Sequence, residues 1–120
     1  MKKENAMKLD RAEFLERVEQ DEVLACELLG IFQTDSAAHG ESLHAAVLAG
    51  NLEAVRNGAH AFKGMLANLS ANPAAAAAAR LELLAKEGKS EELATAWQVF
   101  DAELSSVLVE VNHLLAGAPQ

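Results

Sequence analysis

The residues best placed to do chemistry in this chain are His60, Lys63 and Gly64, within the string His60-Ala61-Phe62-Lys63-Gly64. On a helix, residues three and four positions on from the histidine both project within about 60° of it. A neutral imidazole is a good nucleophile near neutral pH, because histidine without neighbours ionises near about pH 6.5. A lysine one turn away offers a flexible point charge to phosphate oxygens. A glycine leaves a gap through which a second macromolecule could bring a reacting atom to the ~3–3.5 Å that transfer needs. Nucleophile, cation and gap on one strip suit the handling of a phosphoryl group on a side chain, a chemistry that asks for positioning and charge neutralisation above all. Ala67 continues the small strip one turn further, and Arg56 and Asn57 flank His60 one turn before it.

These residues are carried by a third helix predicted over about 52–69, whose apolar positions Leu52, Val55, Ala59, Phe62, Leu66 and Leu69 advance in steps of 3, 4, 3, 4 and 3. That is a heptad seam of the kind that packs antiparallel bundles. His60 stands one residue beyond a seam position, about 100° round from it, so the strip should face water or a partner. Gly64 costs a helix interior about 1 kcal/mol relative to alanine, and close approach of a partner would account for it. Gly58 carries the same cost without a functional account.

Four more helices are predicted around it. Asp10 followed by Glu13 reads as a capping box for a short first helix, 11–19, with Phe14, Leu15 and Val18 on one side. Asp21 can cap a long second helix reaching Ala49, with Leu24, Leu28, Ile31, Phe32, Leu43 and Val47 as its apolar positions and Gly30 and Gly40 as places where it could kink or break. Gly50-Asn51 is a stop followed by an N-cap. Asn72-Pro73 is the cap of a fourth helix over 73–87, whose alanine run permits close helix approach and whose larger anchors are Leu81 and Leu84. Gly88 ends it, and Ser90, Glu91 and Glu92 open a fifth helix with the seam Leu93, Trp97, Phe100, Leu104, Val107, Val111 and Leu114. The links are short, which makes neighbours antiparallel. The expected fold is all-α: an up-down-up-down antiparallel four-helix bundle with the short first helix as a lid across one end. Residues 10–115 form the bundle, and 1–9 and 116–120 are expected to fray.

The chain as a whole narrows the function. It has 120 residues and a net charge of -8, with no basic tract beyond Lys2-Lys3. One domain is expected. Nucleic-acid binding needs clustered cations and is not expected, and an anionic membrane is a poor partner for the same reason. No apolar run reaches the ~18 residues of a membrane span, and no secretory leader is evident. Cys26 is alone, so there is no internal disulfide; it reads as a small core residue in a reducing, cytoplasmic setting. His39, His44 and His113 offer no metal-ligand spacing and read as surface or half-buried side chains. Trp97 reads as core, and Asp101, Glu103 and Glu110 as a solvated acidic face.

His60 through Gly64 on such a helix, preceded by Ala59 and by the segment Leu28–Asn51 with Phe32, Leu43 and Ala46 at apolar positions, resembles the histidine phosphotransfer (HPt) domain family. Leu81-Glu82 resembles the family's apolar-acidic pair in the fourth helix, and the resemblance spans roughly 10–115. It implies a phosphorelay carrier in two-component signalling. His60 would accept a phosphoryl group from the aspartyl phosphate of a response-regulator receiver domain and pass it to another receiver. Lys63 would stabilise the phosphate, and Gly64, Ala67, Arg56 and Asn57 would meet the partner. A hybrid sensor histidine kinase is a second partner class, and membrane association would follow only from membership of such a kinase. A monomer is expected.

No Gly-rich phosphate loop is present, and no carboxylate cluster stands beside His60 to hold Mg²⁺. The nearest acid on that helix is Glu53, about two turns away. No cofactor of its own is therefore expected, Mg²⁺ belonging to the receiver. The chain reads as a carrier that completes an active site only with a partner, not as an enzyme. Two positions depart from the family pattern. Ser70 stands where a glycine is usual ten residues after the histidine, and Ala74 where a larger apolar residue is common. The alternative is a non-phosphorylated helical adaptor that binds a receiver or kinase; an intact His-Lys-Gly strip would then be unnecessary. A metal-binding four-helix bundle lacks its inward Glu and Glu-x-x-His ligands.

Overall fold

The computed structural model describes residues 8–117, and the outer parts of both expected frayed ends, 1–7 and 118–120, lie outside the described residues. Among the described residues five α-helices follow in order: α1 Arg11–Arg17, α2 Glu22–Ala49, α3 Leu52–Asn68, α4 Asn72–Lys86 and α5 Leu93–Ala116, with a 3₁₀ turn, Ser90–Glu92, leading into α5. Helices α2 to α5 alternate in direction, each packs on its neighbour in sequence, and α5 closes the ring against α2. The all-α bundle with a short N-terminal helix is the expected architecture.

The core runs down the centre of the bundle. Val55, Ala59, Phe62 and Leu66 of α3, Ala74, Ala78 and Leu81 of α4, and Phe100, Val107 and Val111 of α5 are excluded from water altogether. Phe62 and Phe100 meet edge to face at 5.0 Å. Each large apolar side chain buried here contributes about 1.5–3 kcal/mol. The alanines let α4 lie close against α3, and the small residue at Ala74 is fully buried in that contact.

Helix α1 lies across the end of the bundle where α3 hands over to α4 and where α5 finishes. Phe14 and Val18 enter the core there. The Asp10 N–H donates to the Ser70 carbonyl at 2.8 Å, and Arg17 Nε donates to Ser70 Oγ at 3.1 Å. Ser70 is the residue in place of glycine, and it does adopt the left-handed conformation that favours glycine, with φ of 57°. Its hydroxyl and carbonyl anchor the lid.

Several sequence expectations change. The capping box at Asp10 forms only half: Asp10 accepts from the Glu13 N–H at 3.1 Å, but the Asp10 N–H goes to Ser70, and the Glu13 carboxylate turns to Asn72. Asn72 is the first residue of α4 and not its cap; Ala71 occupies that position with no side-chain bond. Gly30 and Gly40 do not interrupt α2, which is continuous over 28 residues. Its inward row is Ala25, Leu29, Phe32, Ser36, Leu43 and Ala46, whereas Leu24 and Ile31 are exposed and Leu28 and Val47 half-buried. Small and large side chains share this row, along which α2 packs on α3 and α5. Gly58 gains an explanation in the same contact: a Cβ there would stand 3.2 Å from Leu43 Cδ1.

Glu110 is not part of a solvated face. It is buried, and it accepts from the Lys8 N–H at 2.7 Å, the Leu9 N–H at 3.2 Å and Arg11 Nε at 3.1 Å. Lys8 and Leu9, the described end of the segment expected to fray, are thereby tied to α5. Cys26 and Trp97 are half-buried, not core, and His44 stacks flat on the Trp97 indole with ring centroids 4.6 Å apart.

Candidate functional site

Helix α3 starts at the Asn51 cap, whose side-chain oxygen accepts from the Ala54 N–H at 3.1 Å. Its seam then sinks into the core and fixes its rotation about its own axis. With Ala59 and Phe62 at 0 % exposure, the intervening His60 must turn outward, and its side chain is 68 % exposed. Lys63 and Gly64 follow on the same side, Lys63 part-exposed and Gly64 exposed. Among the described residues a Cβ on Gly64 would meet nothing within 4 Å, so the surface they form beside the histidine is open.

The strip has a member that spacing along α3 does not reveal. Glu82 of α4 receives His60 Nδ1 at 2.9 Å on one carboxylate oxygen and Lys63 Nζ at 2.8 Å on the other. Its neighbours Leu81 and Leu84 are buried, which holds this part of α4 in place. The pair with Lys63 is the largest influence lowering the Glu82 carboxyl below the usual carboxylate range; partial burial opposes it, and the bond to His60 adds to it. The sign follows. Stabilisation from this cluster is present above the ordinary value of 4.5 and is lost as the pH falls through the lowered one.

An ionised carboxylate can only accept. Glu82 therefore fixes the proton of a neutral His60 on Nδ1 and leaves the Nε2 lone pair free for a reacting group. Among the described residues Nε2 makes no hydrogen bond, and no three His, Cys, Asp or Glu side chains gather where a metal ion could be held.

Of the residues singled out from sequence, His60 and Lys63 are joined through Glu82, and Gly64 borders them. Ala67 is half-buried one turn on, at the edge of the strip. Arg56 and Asn57 are exposed one turn before His60, and neither bonds to the cluster. In the sequence Glu82 stands out only within the Leu81-Glu82 pair, with no role attached to it. The signal was the hairpin: His60 and Glu82 stand eleven residues either side of Ala71, so antiparallel helices bring them level.

An antiparallel helical bundle that presents a histidine on an exposed face, with Nε2 unbonded and a lysine alongside, has the make-up of a phosphoryl-carrying module. The sequence profile of the Hpt domain matches residues 27–115, and the chain belongs to that family. Among solved structures, the crystal structure of histidine-containing phosphotransfer protein B (HptB) from Pseudomonas aeruginosa PAO1 matches with a TM-score of 0.86 and 28 % identity, over 93 % of this chain and 97 % of that one. No curated protein sequence matches significantly. The chain is thus a phosphotransfer carrier module of two-component signalling. No helix among the described residues is long and apolar enough to cross a membrane.

Proposed function

We propose that His60 is the phosphoacceptor, taking a phosphoryl group from the aspartyl phosphate of a receiver domain and giving it to a second receiver. The observation that carries this reading is the Glu82–His60 hydrogen bond on an exposed face: it orients the ring and leaves Nε2 unprotonated and accessible. In the acceptor step the Nε2 lone pair attacks phosphorus, the P–O bond to the aspartate breaks, and the carboxylate leaves with that electron pair. The Nδ1 proton stays on Glu82's side of the ring throughout. Lys63 supplies positive charge to the phosphoryl oxygens, and Gly64 gives the partner its close approach.

The divalent cation comes with the receiver, since the strip itself offers one carboxylate already shared by two cationic or N–H donors. Ala67, Arg56 and Asn57 border the docking area. The partners are response-regulator receivers, a hybrid sensor kinase being a further source of one, and the carrier acts as a monomer in the cytoplasm.

Incubation with a phosphorylated receiver and Mg²⁺ should place acid-labile, alkali-stable phosphate on the wild type and none on His60→Gln. Equal labelling of the two proteins would sink the reading.

A further inference from the structure

We infer that Lys63 changes partner when His60 is phosphorylated, leaving Glu82 for the phosphoryl oxygens, and that Glu82, then bonded to the imidazole alone, holds the Nδ1 proton and keeps the phosphohistidine ready to give up its group. This rests on His60 being the phosphoacceptor.

Glu82 is shared in the resting state, one oxygen to His60 at 2.9 Å and the other to Lys63 at 2.8 Å. The two donors differ in freedom. The imidazole hangs on two short torsions beside a buried seam, whereas the Lys63 ammonium ends a flexible four-carbon stem and is 40 % exposed. Glu82 is the more enclosed partner, 21 % exposed on α4. With a neutral ring, the three side chains sum to zero charge. A phosphoryl group on Nε2 adds up to two negative charges on the open side of the ring, and these attract the ammonium more strongly than one carboxylate does. Lys63 can follow them without crossing the core. The Glu82 carboxylate then loses its cation and faces the Nδ1–H alone, which favours a protonated ring.

The consequence lies in the leaving group. When the phosphoryl departs, the Nε2–P bond breaks, its electron pair returns to Nε2, and a P–O bond forms to the acceptor. A ring that keeps its Nδ1 proton leaves as neutral imidazole; a ring without it must leave as an imidazolate anion, which is far less favourable. Glu82 thus favours donation as well as acceptance. Among the described residues the other charged groups around α3 do not compete for this proton. Arg56 on α3, Lys86 on α4, and Asp35, His39 and Glu41 on α2 are exposed and make no hydrogen bond to the imidazole.

The test needs no receiver. Phosphoramidate can phosphorylate the ring directly, its P–N bond breaking as ammonia leaves, and His60→Gln gives the background from the other three histidines. Loss of phosphate to water is then followed by ³¹P NMR on the wild type, Glu82→Gln and Lys63→Met. Glu82→Gln is expected to lose phosphate about tenfold more slowly at pH ~8.5 and at the wild-type rate near pH ~6, where acid protonates the ring without help. Lys63→Met is expected to move the phosphoryl resonance, because its partner ammonium is gone. A Glu82→Gln rate that matches the wild type at both pH values, or is slowed equally at both, overturns the inference. So does an unmoved resonance in Lys63→Met. Labelling of wild type no higher than that of His60→Gln overturns the phosphoacceptor reading itself.

Discussion

Ser70 shows how much one residue can hold in this protein. Its backbone is left-handed, a conformation that costs a side-chain-bearing residue roughly 1–2 kcal/mol, yet it is fully buried and linked to Asp10 and Arg17. The hydroxyl compensates for the missing glycine by accepting from Arg17. Replacement by alanine keeps the Cβ strain and removes that bond, so Ser70→Ala should be destabilised by about 1 kcal/mol in denaturant unfolding. Ser70→Gly loses the same bond but relieves the strain, and should lie within about 0.5 kcal/mol of wild type. Equal midpoints for the two variants would contradict this account. The sequence marked position 70 as an unusual place for serine, but the hydrogen bond that makes serine tolerable comes from α1, 53 residues earlier, and spacing does not report it.

At the scale of the element, α3 carries two glycines with opposite purposes. A Cβ added at Gly58 would crowd Leu43 of α2, whereas one added at Gly64 would meet nothing within 4 Å among the described residues. Leucine at each position separates the two. Gly64→Leu should keep or raise stability by about 0.5–1 kcal/mol, since helix propensity improves in open space. Its phosphotransfer from a receiver should fall on the order of a hundredfold, because the reacting atoms are held apart. Gly58→Leu should instead lose at least about 1–3 kcal/mol, as Leu43 has no room to yield to a whole side chain. Thermal unfolding and transfer kinetics on both variants decide the matter; unchanged transfer in Gly64→Leu would remove the access role. Helix α3 was readable from sequence because its seam is regular. Helix α2 was readable in its extent but not in its whole inward face, because Leu24 and Ile31 stay outside while Ala25 and Ser36 turn in beside Leu29, Phe32 and Leu43.

For the whole molecule, the buried Glu110 joins the chain's beginning to its last helix. Three donors, two of them backbone N–H groups, depend on this carboxylate. Glu110→Ala should cost about 2–3 kcal/mol and speed hydrogen exchange at the Leu9 amide, while phosphorylation of His60, far along α3, stays at the wild-type level. Unaltered exchange at Leu9 would show that the lid is held by its apolar side chains alone. The sequence by itself determined the helices, their short antiparallel links and the outward strip of His60, Lys63 and Gly64, because heptad periodicity, caps and glycine stops are local properties of the chain. Only the tertiary structure decided that Glu82 completes that strip, that Ser70 and Glu110 fasten the lid, and that Gly58 serves packing. Each of those depends on side chains from different helices meeting at one depth in the bundle, and that register is set by how the helices pack, not by the pattern within any one of them.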